Sequence, residues 1–224
     1  MMILDVQQAQ LDYVATFAEP AFALWTDVPG MMGGLYGAFA GLHTGLTDFA
    51  VEGDERDPLA QKVVATLGNQ GFFRVGYDRV EAVLPDYTGA DLTEYSSTLK
   101  RGDGWLRGQW PAPVIHAHYL TFSIHAELRD GSPIDYLRGL SNRELPGIGD
   151  SLGTGLIFHV AIPNTLMQVH LTVDHSTVLD GGLFVQHVVT VGSDQIVHAD
   201  VLHWSTQTLD QALWGLGLMF PGVG

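Results

Sequence analysis

Three residues in the second half of the chain have the types that serine-dependent hydrolysis requires. Gly149-Asp150-Ser151-Leu152-Gly153 satisfies the pattern G-x-S-x-G, in which the serine lies on a sharp turn. Further along the chain, Asp200 and His203 form a D-x-x-H pair. A serine hydroxyl needs an adjacent base to become nucleophilic, and a carboxylate orients that base. Ser151, His203 and Asp200 are therefore a candidate catalytic set.

Histidines form a second candidate group, because nine of the ten lie between His116 and His203. His116 and His118 fall two residues apart in a predicted strand, so their imidazoles share one face and could reach one metal ion. Alternation places His187 on the same apolar face. Since no acidic residue accompanies them there, the alternative interpretation is that these histidines are structural and pack in the core. No cofactor is predicted.

The letters GDSL at 149–152 together with DVLH at 200–203 resemble the GDSL, or SGNH, esterase–lipase family. The resemblance implies that Ser151 is the nucleophile and that Asp200 and His203 supply the base and its orienting acid. The family's motif follows a buried strand and opens a helix, whereas this one lies in a polar loop, 141–155, between a predicted helix and a predicted strand. The family's G-x-N-D block is also absent from the sequence.

Apolar periodicity predicts an α+β protein made of two β-α-β(3-4)-α halves, 1–108 and 109–224, or one continuous domain. Each half starts with an alternating strand, and the second of these strands, 114–128, is long. The Gly- and Pro-rich segment 101–113 is interpreted as the end of the first half. We expect the antiparallel sheets of the halves to join edge to edge, with helices packed on one face.

Two local predictions concern the second half. Pro163-Asn164 is interpreted as a two-residue hairpin turn, which pairs Val160 with Met167 and His159 with Gln168. Thr208 and Gln211 form a capping box that predicts the start of the last helix. The apolar stripe of that helix consists of Leu209, Leu213, Leu216 and Phe220.

The composition bounds the class of partner. A formal net charge of −15, with lysine only at Lys62 and Lys100, argues against binding to nucleic acid or to anionic membranes. The chain has no cysteine and no apolar stretch near the roughly 20 residues that a membrane span needs. Its first residues lack the features of a signal peptide, so a cytoplasmic protein is expected.

Several short stretches resemble a sporadically distributed bacterial family of unknown function with two α/β lobes. They read FRVGYDRV at 73–80, IDYL at 134–137 and LDQAL at 209–213. This resemblance implies a fold and no chemistry. We therefore expect a non-enzymatic binding or protein-interaction module, which works with a protein partner or by self-association. The GDSL-like esterase is the first alternative, and a histidine metal site is the second.

Overall fold

Period-two alternation in the sequence appears in the computed structural model as strands with one buried face. The structure describes residues 1–42, 45–54, 56–68, 71–85, 92–140, 155–193 and 196–221. The strands are β1 (Met2–Phe17), β2 (Phe49–Glu52), β3 (Lys62–Thr66), β4 (Phe72–Val75), β5 (Arg79–Leu84), β6 (Ile115–Leu128), β7 (Leu156–Ala161), β8 (Met167–His175), β9 (Leu183–Val191) and β10 (Leu218–Met219). The helices are α1 (Val28–Phe39), α2 (Leu92–Arg107), α3 (Pro133–Leu140) and α4 (His198–Gly215), with short 3-10 turns at Phe22–Thr26, Leu46–Asp48 and Pro58–Ala60.

The strands form one sheet in the order β2-β3-β4-β5-β1-β6-β9-β8-β7, and every neighbouring pair in this order is antiparallel. The short strand β10 pairs in parallel with the start of β1. The predicted α+β class and antiparallel pairing are thus confirmed. One continuous ten-stranded sheet dominates the layout, which differs from the predicted two β-α-β(3-4)-α halves, and β1 and β6 pair along most of their length at its centre.

The helices cover the apolar face of this sheet. Tyr95 of α2 donates a hydrogen bond to the carbonyl of Ala82 in β5, and Gly102 lets α2 approach the ring of Phe73 in β4. Helix α4 packs on β6 and β9, and α3 contacts β8. The other face of the central strands is polar and half-buried, with Gln10, Asp12, Thr121 and Ser123 among its residues.

A β-bulge at the start of β6 changes which histidines share a face. Thr16 pairs with Ala117 and Phe17 pairs with Ile115, so His116 is the extra, unpaired residue. A bulge locally breaks the alternation of side chains. His116 is therefore exposed while His118 is fully buried, and the prediction that they share one face is wrong.

The predicted hairpin exists with a different register. Val160 pairs with Val169, and His159 pairs with His170, two positions away from the predicted partners. Pro163 and Asn164, whose φ is +61°, are the central residues of a turn closed by the hydrogen bond from Thr165 N to Ile162 O. Pro followed by a residue with positive φ is a type II turn, which splays antiparallel strands if they pair directly across it. The loop therefore takes four residues, 163–166, before pairing begins.

Helix α4 begins at His198, ahead of the predicted capping box. Thr208 lies inside the helix, where its hydroxyl donates back to the carbonyls of Trp204 and Ser205. The predicted apolar stripe is buried at Leu209 and Leu213 and partly buried at Leu216 and Phe220, of which the last two follow the helix. The expected burial of the final helix is thus confirmed, whereas its predicted start is wrong.

Candidate functional site

The candidate catalytic residues are only partly placed by the structure. Ser151 lies outside the described residues. Asp200 and His203 are both exposed near the start of α4, and no hydrogen bond joins them in the part of the chain that is described. His203 lines an open groove of about 500 Å³ between α2 and α4. The described geometry therefore does not assemble the base and its orienting acid into a catalytic pair.

The predicted metal ligands His116, His118 and His187 do not converge. His118 and His187 lie on the buried face, but His187 pairs with Phe122, four positions along β6 from His118. At about 3.3 Å per residue, this separation is roughly 13 Å. No group of three or more His, Asp or Glu side chains suited to a metal ion occurs among the described residues.

His118 instead belongs to a buried polar network between the sheet and two helices. Its Nδ1 lies 2.7 Å from the hydroxyl of Tyr13 on β1, and its Nε2 lies 2.8 Å from the carbonyl oxygen of Ser193. A carbonyl oxygen only accepts hydrogen bonds, so the neutral imidazole carries its proton on Nε2 and donates to Ser193. Tyr13 then donates its hydroxyl proton to Nδ1.

The same network continues to α2 through a second buried imidazole. The ring of His198, the first residue of α4, lies 4.9 Å from that of Tyr13. Its Nε2 is 3.2 Å from Oδ1 of Asp103, off the line needed for a hydrogen bond. The single Nε–H of Arg107 is shared between Oδ1 and Oδ2 of Asp103, at 3.0 Å from each, and Nη2 of Arg107 donates to the carbonyl of Ile196.

Burial sets the charge of this network. It lowers the pKa of His118 below its ordinary value, and together with His118 and Arg107 it lowers the pKa of His198 to about 3. Burial also raises the pKa of Tyr13 well above 10, with a contribution from the nearby carboxylate of Asp103. Both imidazoles and the phenol are therefore neutral at pH 7. All three side chains are fully buried, where they lie between α2, α4 and the central strands of the sheet.

Strand β7 carries three exposed apolar side chains close together. The exposed fractions of Ile157, Phe158 and Val160 are 64%, 36% and 46%. Ile157 points to the polar face of the sheet, and the other two point to the helix face, so both faces of this strand carry exposed apolar side chains. Among the described residues, no strand pairs with β7 on its outer side. Sequence reasoning identified this strand correctly but did not identify it as a sheet edge.

Comparison with known proteins adds little to this geometry. No family model and no curated protein matches the chain. Among solved structures, the chain is similar to a rolling circle replication initiator protein from Geobacillus stearothermophilus, at 9% sequence identity and a TM-score of 0.36. The alignment covers 94% of this chain and 84% of that chain. A likeness this weak carries no argument about function. None of the described helices has the length and apolar character needed to cross a membrane.

Proposed function

We propose that this protein is a non-enzymatic protein-interaction module that binds an extended segment of another polypeptide by adding it as a strand beside β7. Strand addition draws its affinity from main-chain hydrogen bonds and its selectivity from alternate side chains. The observation that carries the proposal is the exposed, uncharged edge of β7. The Tyr13, His118 and His198 side chains of the core network are fully buried, so they are not accessible to a partner.

The backbone of β7 has an outward set of hydrogen-bonding groups. The N–H of Ile162 donates to the carbonyl of Met167 on β8, so residues 160, 158 and 156 also direct their backbone groups inward, toward β8. Residues Ile157, His159 and Ala161 then present N–H and C=O groups to the outside. A strand that pairs in register with these three residues satisfies all six groups.

The side chains of β7 suit a partner and lack the usual protection of an edge. Natural edge strands are commonly shortened or carry charged residues, which prevents unwanted pairing. The opposite edge, β2, has only four residues and ends in Glu52, which lies 3.6 Å from Arg74. Strand β7 has six residues and no charged side chain, in a chain of net charge −15.

We also infer that the chain consists of two joined halves, as the sequence suggests. The order β-α-β-β-β-β-α up to Arg107 is followed by β-α-β-β-β-α from Ile115. In this view, β2 and β7 each follow the first helix of their half and form the two outer edges of the sheet. The protected edge strand β2 and the exposed edge strand β7 would then occupy equivalent places in the two halves, and their sequences would have diverged.

The test uses a displayed library of random peptides selected against the immobilised full chain. Ile157→Pro removes one outward N–H and leaves the pairing with β8 intact, whereas Ile157→Thr keeps the N–H and the β-branched shape. We expect the selected peptides to alternate apolar and polar residues and to bind wild type and Ile157→Thr. They should bind Ile157→Pro at least about tenfold more weakly, which corresponds to about 1.4 kcal/mol. Peptides that bind all three proteins equally, or no enrichment at all, would contradict the proposal.

A further inference from the structure

The exposed imidazoles of His159 and His170 form a pair on the polar face of the β7–β8 hairpin. They are directly opposed in the ladder, and their ring centroids are 4.5 Å apart with the planes at 80°. Both side chains are exposed, so the space beside the rings is open to solvent. Within the described residues, the pair belongs neither to the core network around His118 nor to any other ionisable cluster.

The backbone fixes the approach of the two side chains. His159 directs its backbone N–H and C=O groups outward. His170 directs its own to β9, because Leu166 accepts a hydrogen bond from Gly192 N, and alternate residues 166, 168 and 170 point to the same side. The two residues are therefore a non-hydrogen-bonded pair, the closer of the two kinds of antiparallel pair, with Cα atoms about 4.5 Å apart. Little conformational freedom has to be lost to bring their ring nitrogens to one point.

We propose that His159 and His170 together bind one divalent transition-metal ion of the kind that prefers imidazole, such as Zn²⁺, Ni²⁺ or Cu²⁺. Neutral imidazole is a preferred ligand for these ions. Two protein ligands leave coordination positions for water or for a side chain of a bound partner, so the site is an open one. A bound ion would tie the edge strand β7 to β8.

The electrostatic surroundings favour a cation. Strands β7, β8 and β9 contain no lysine or arginine, and their one charged residue is Asp174. The polar-face neighbours of the pair on these strands are Ile157, Ala161, Gln168, Thr172 and Val188, none of which is charged. A divalent ion at this position also meets a chain whose net charge is −15.

The experiment is a calorimetric titration of the full chain with Zn²⁺, repeated with Ni²⁺, at pH 7.5. We expect one ion per chain, with affinity reduced about tenfold or more in His159→Ala and in His170→Ala. His116→Ala and His203→Ala are the matched controls, because both histidines are exposed and neither contacts another ring. These controls should bind like wild type.

Two results would overturn the proposal. One is a loss of affinity as large in a control as in the His159 or His170 variants; the other is an ion shared between two chains.

Thermal unfolding with and without Zn²⁺ gives a second readout, because a ligand that binds the folded state raises the melting temperature. Both alanine variants keep the outward N–H groups of β7, and Ile157→Pro keeps both histidines. Failure of metal binding and failure of strand addition are thus separately visible.

Discussion

The hydroxyl of Tyr13 and Nδ1 of His118 lie 2.7 Å apart in the core, although 105 positions separate the residues in the sequence. The bond crosses from β1 to β6, which are the two central strands of the sheet. His118 also donates to the carbonyl of Ser193, which follows β9, so it links the central strands to this residue. His118, which the sequence offered as a candidate metal ligand with a structural role as the alternative, is therefore a fully hydrogen-bonded structural residue.

Tyr13→Phe should destabilise the protein without changing its fold. The substitution removes the donor and leaves Nδ1 of His118 buried without a partner, which typically costs about 1–3 kcal/mol. The measurement is the free energy of unfolding in urea at pH 7. Tyr36→Phe is the control, because Tyr36 lies on α1 and is partly exposed. Equal stability of the Tyr13 variant and the control would show that the Tyr13–His118 bond contributes nothing net.

His187→Leu should make the protein more resistant to acid. His187 is fully buried, and neither ring nitrogen has a hydrogen-bond partner in the described structure. Burial lowers its pKa to about 4, from an ordinary value of 6.5. Between these values the unfolded chain binds more protons than the folded one, so stability falls with decreasing pH by up to about 1.4 kcal/mol per unit.

The loss of stability caused by His187 is absent above about pH 6.5 and complete near pH 4, so wild type and His187→Leu should differ in their pH dependence between these values. Urea unfolding at pH 7.5, 6.0 and 5.0 measures the difference. The leucine variant should show a shallower dependence and equal or greater stability at pH 7.5. His198, whose pKa is lowered to about 3, retains its own acid sensitivity in both proteins. An unchanged dependence on pH in the variant would contradict the assignment of His187 as a buried neutral imidazole.

Sequence patterns predicted which faces are buried more reliably than which residues meet. The hairpin shows why: a register error of two positions keeps every side chain on its correct face, so the apolar pattern cannot detect it. The turn residues held the missing information, since Pro163 followed by Asn164 is typical of a type II turn. A type II turn would have predicted a longer loop and the pairing of His159 with His170.

The buried polar network around His118 could not be predicted from the sequence, for a different reason. Asp103 and Arg107 lie in the Gly- and Pro-rich segment 101–113, which was interpreted as the end of the first half, yet α2 continues into it as far as Arg107. Gly102 fits inside this helix because an added Cβ would lie 2.5 Å from the ring of Phe73, so tertiary packing requires glycine there. Helix propensity penalises such a residue without information about its neighbours. Long-range pairs such as Tyr13 with His118 leave no local signal in one sequence.

An esterase assay should give no activity that depends on Ser151. Asp200 and His203 are exposed on α4 and are not hydrogen-bonded to each other, so the base is not oriented as a serine nucleophile requires. The measurement is hydrolysis of a short-chain p-nitrophenyl ester by wild type and by Ser151→Ala at equal concentration. The rates should be equal. A clear rate in wild type that disappears in Ser151→Ala would instead restore the hydrolase hypothesis.

Leu213→Ala should destabilise the isolated protein strongly, whereas Trp214→Ala, one residue away on α4, should not. Leu213 is 1% exposed and packs in the core, and Trp214 is 70% exposed. Truncating a buried leucine typically costs about 2–5 kcal/mol, because apolar contacts are lost and a cavity remains. Thermal unfolding and a sizing column, run side by side, distinguish a core residue from an interface residue. The expected result is a sharply lower melting temperature for Leu213→Ala with an unchanged elution volume for both variants. If Leu213→Ala melts like wild type but elutes as a smaller species, the apolar stripe of α4 is an interface between chains and does not close the core.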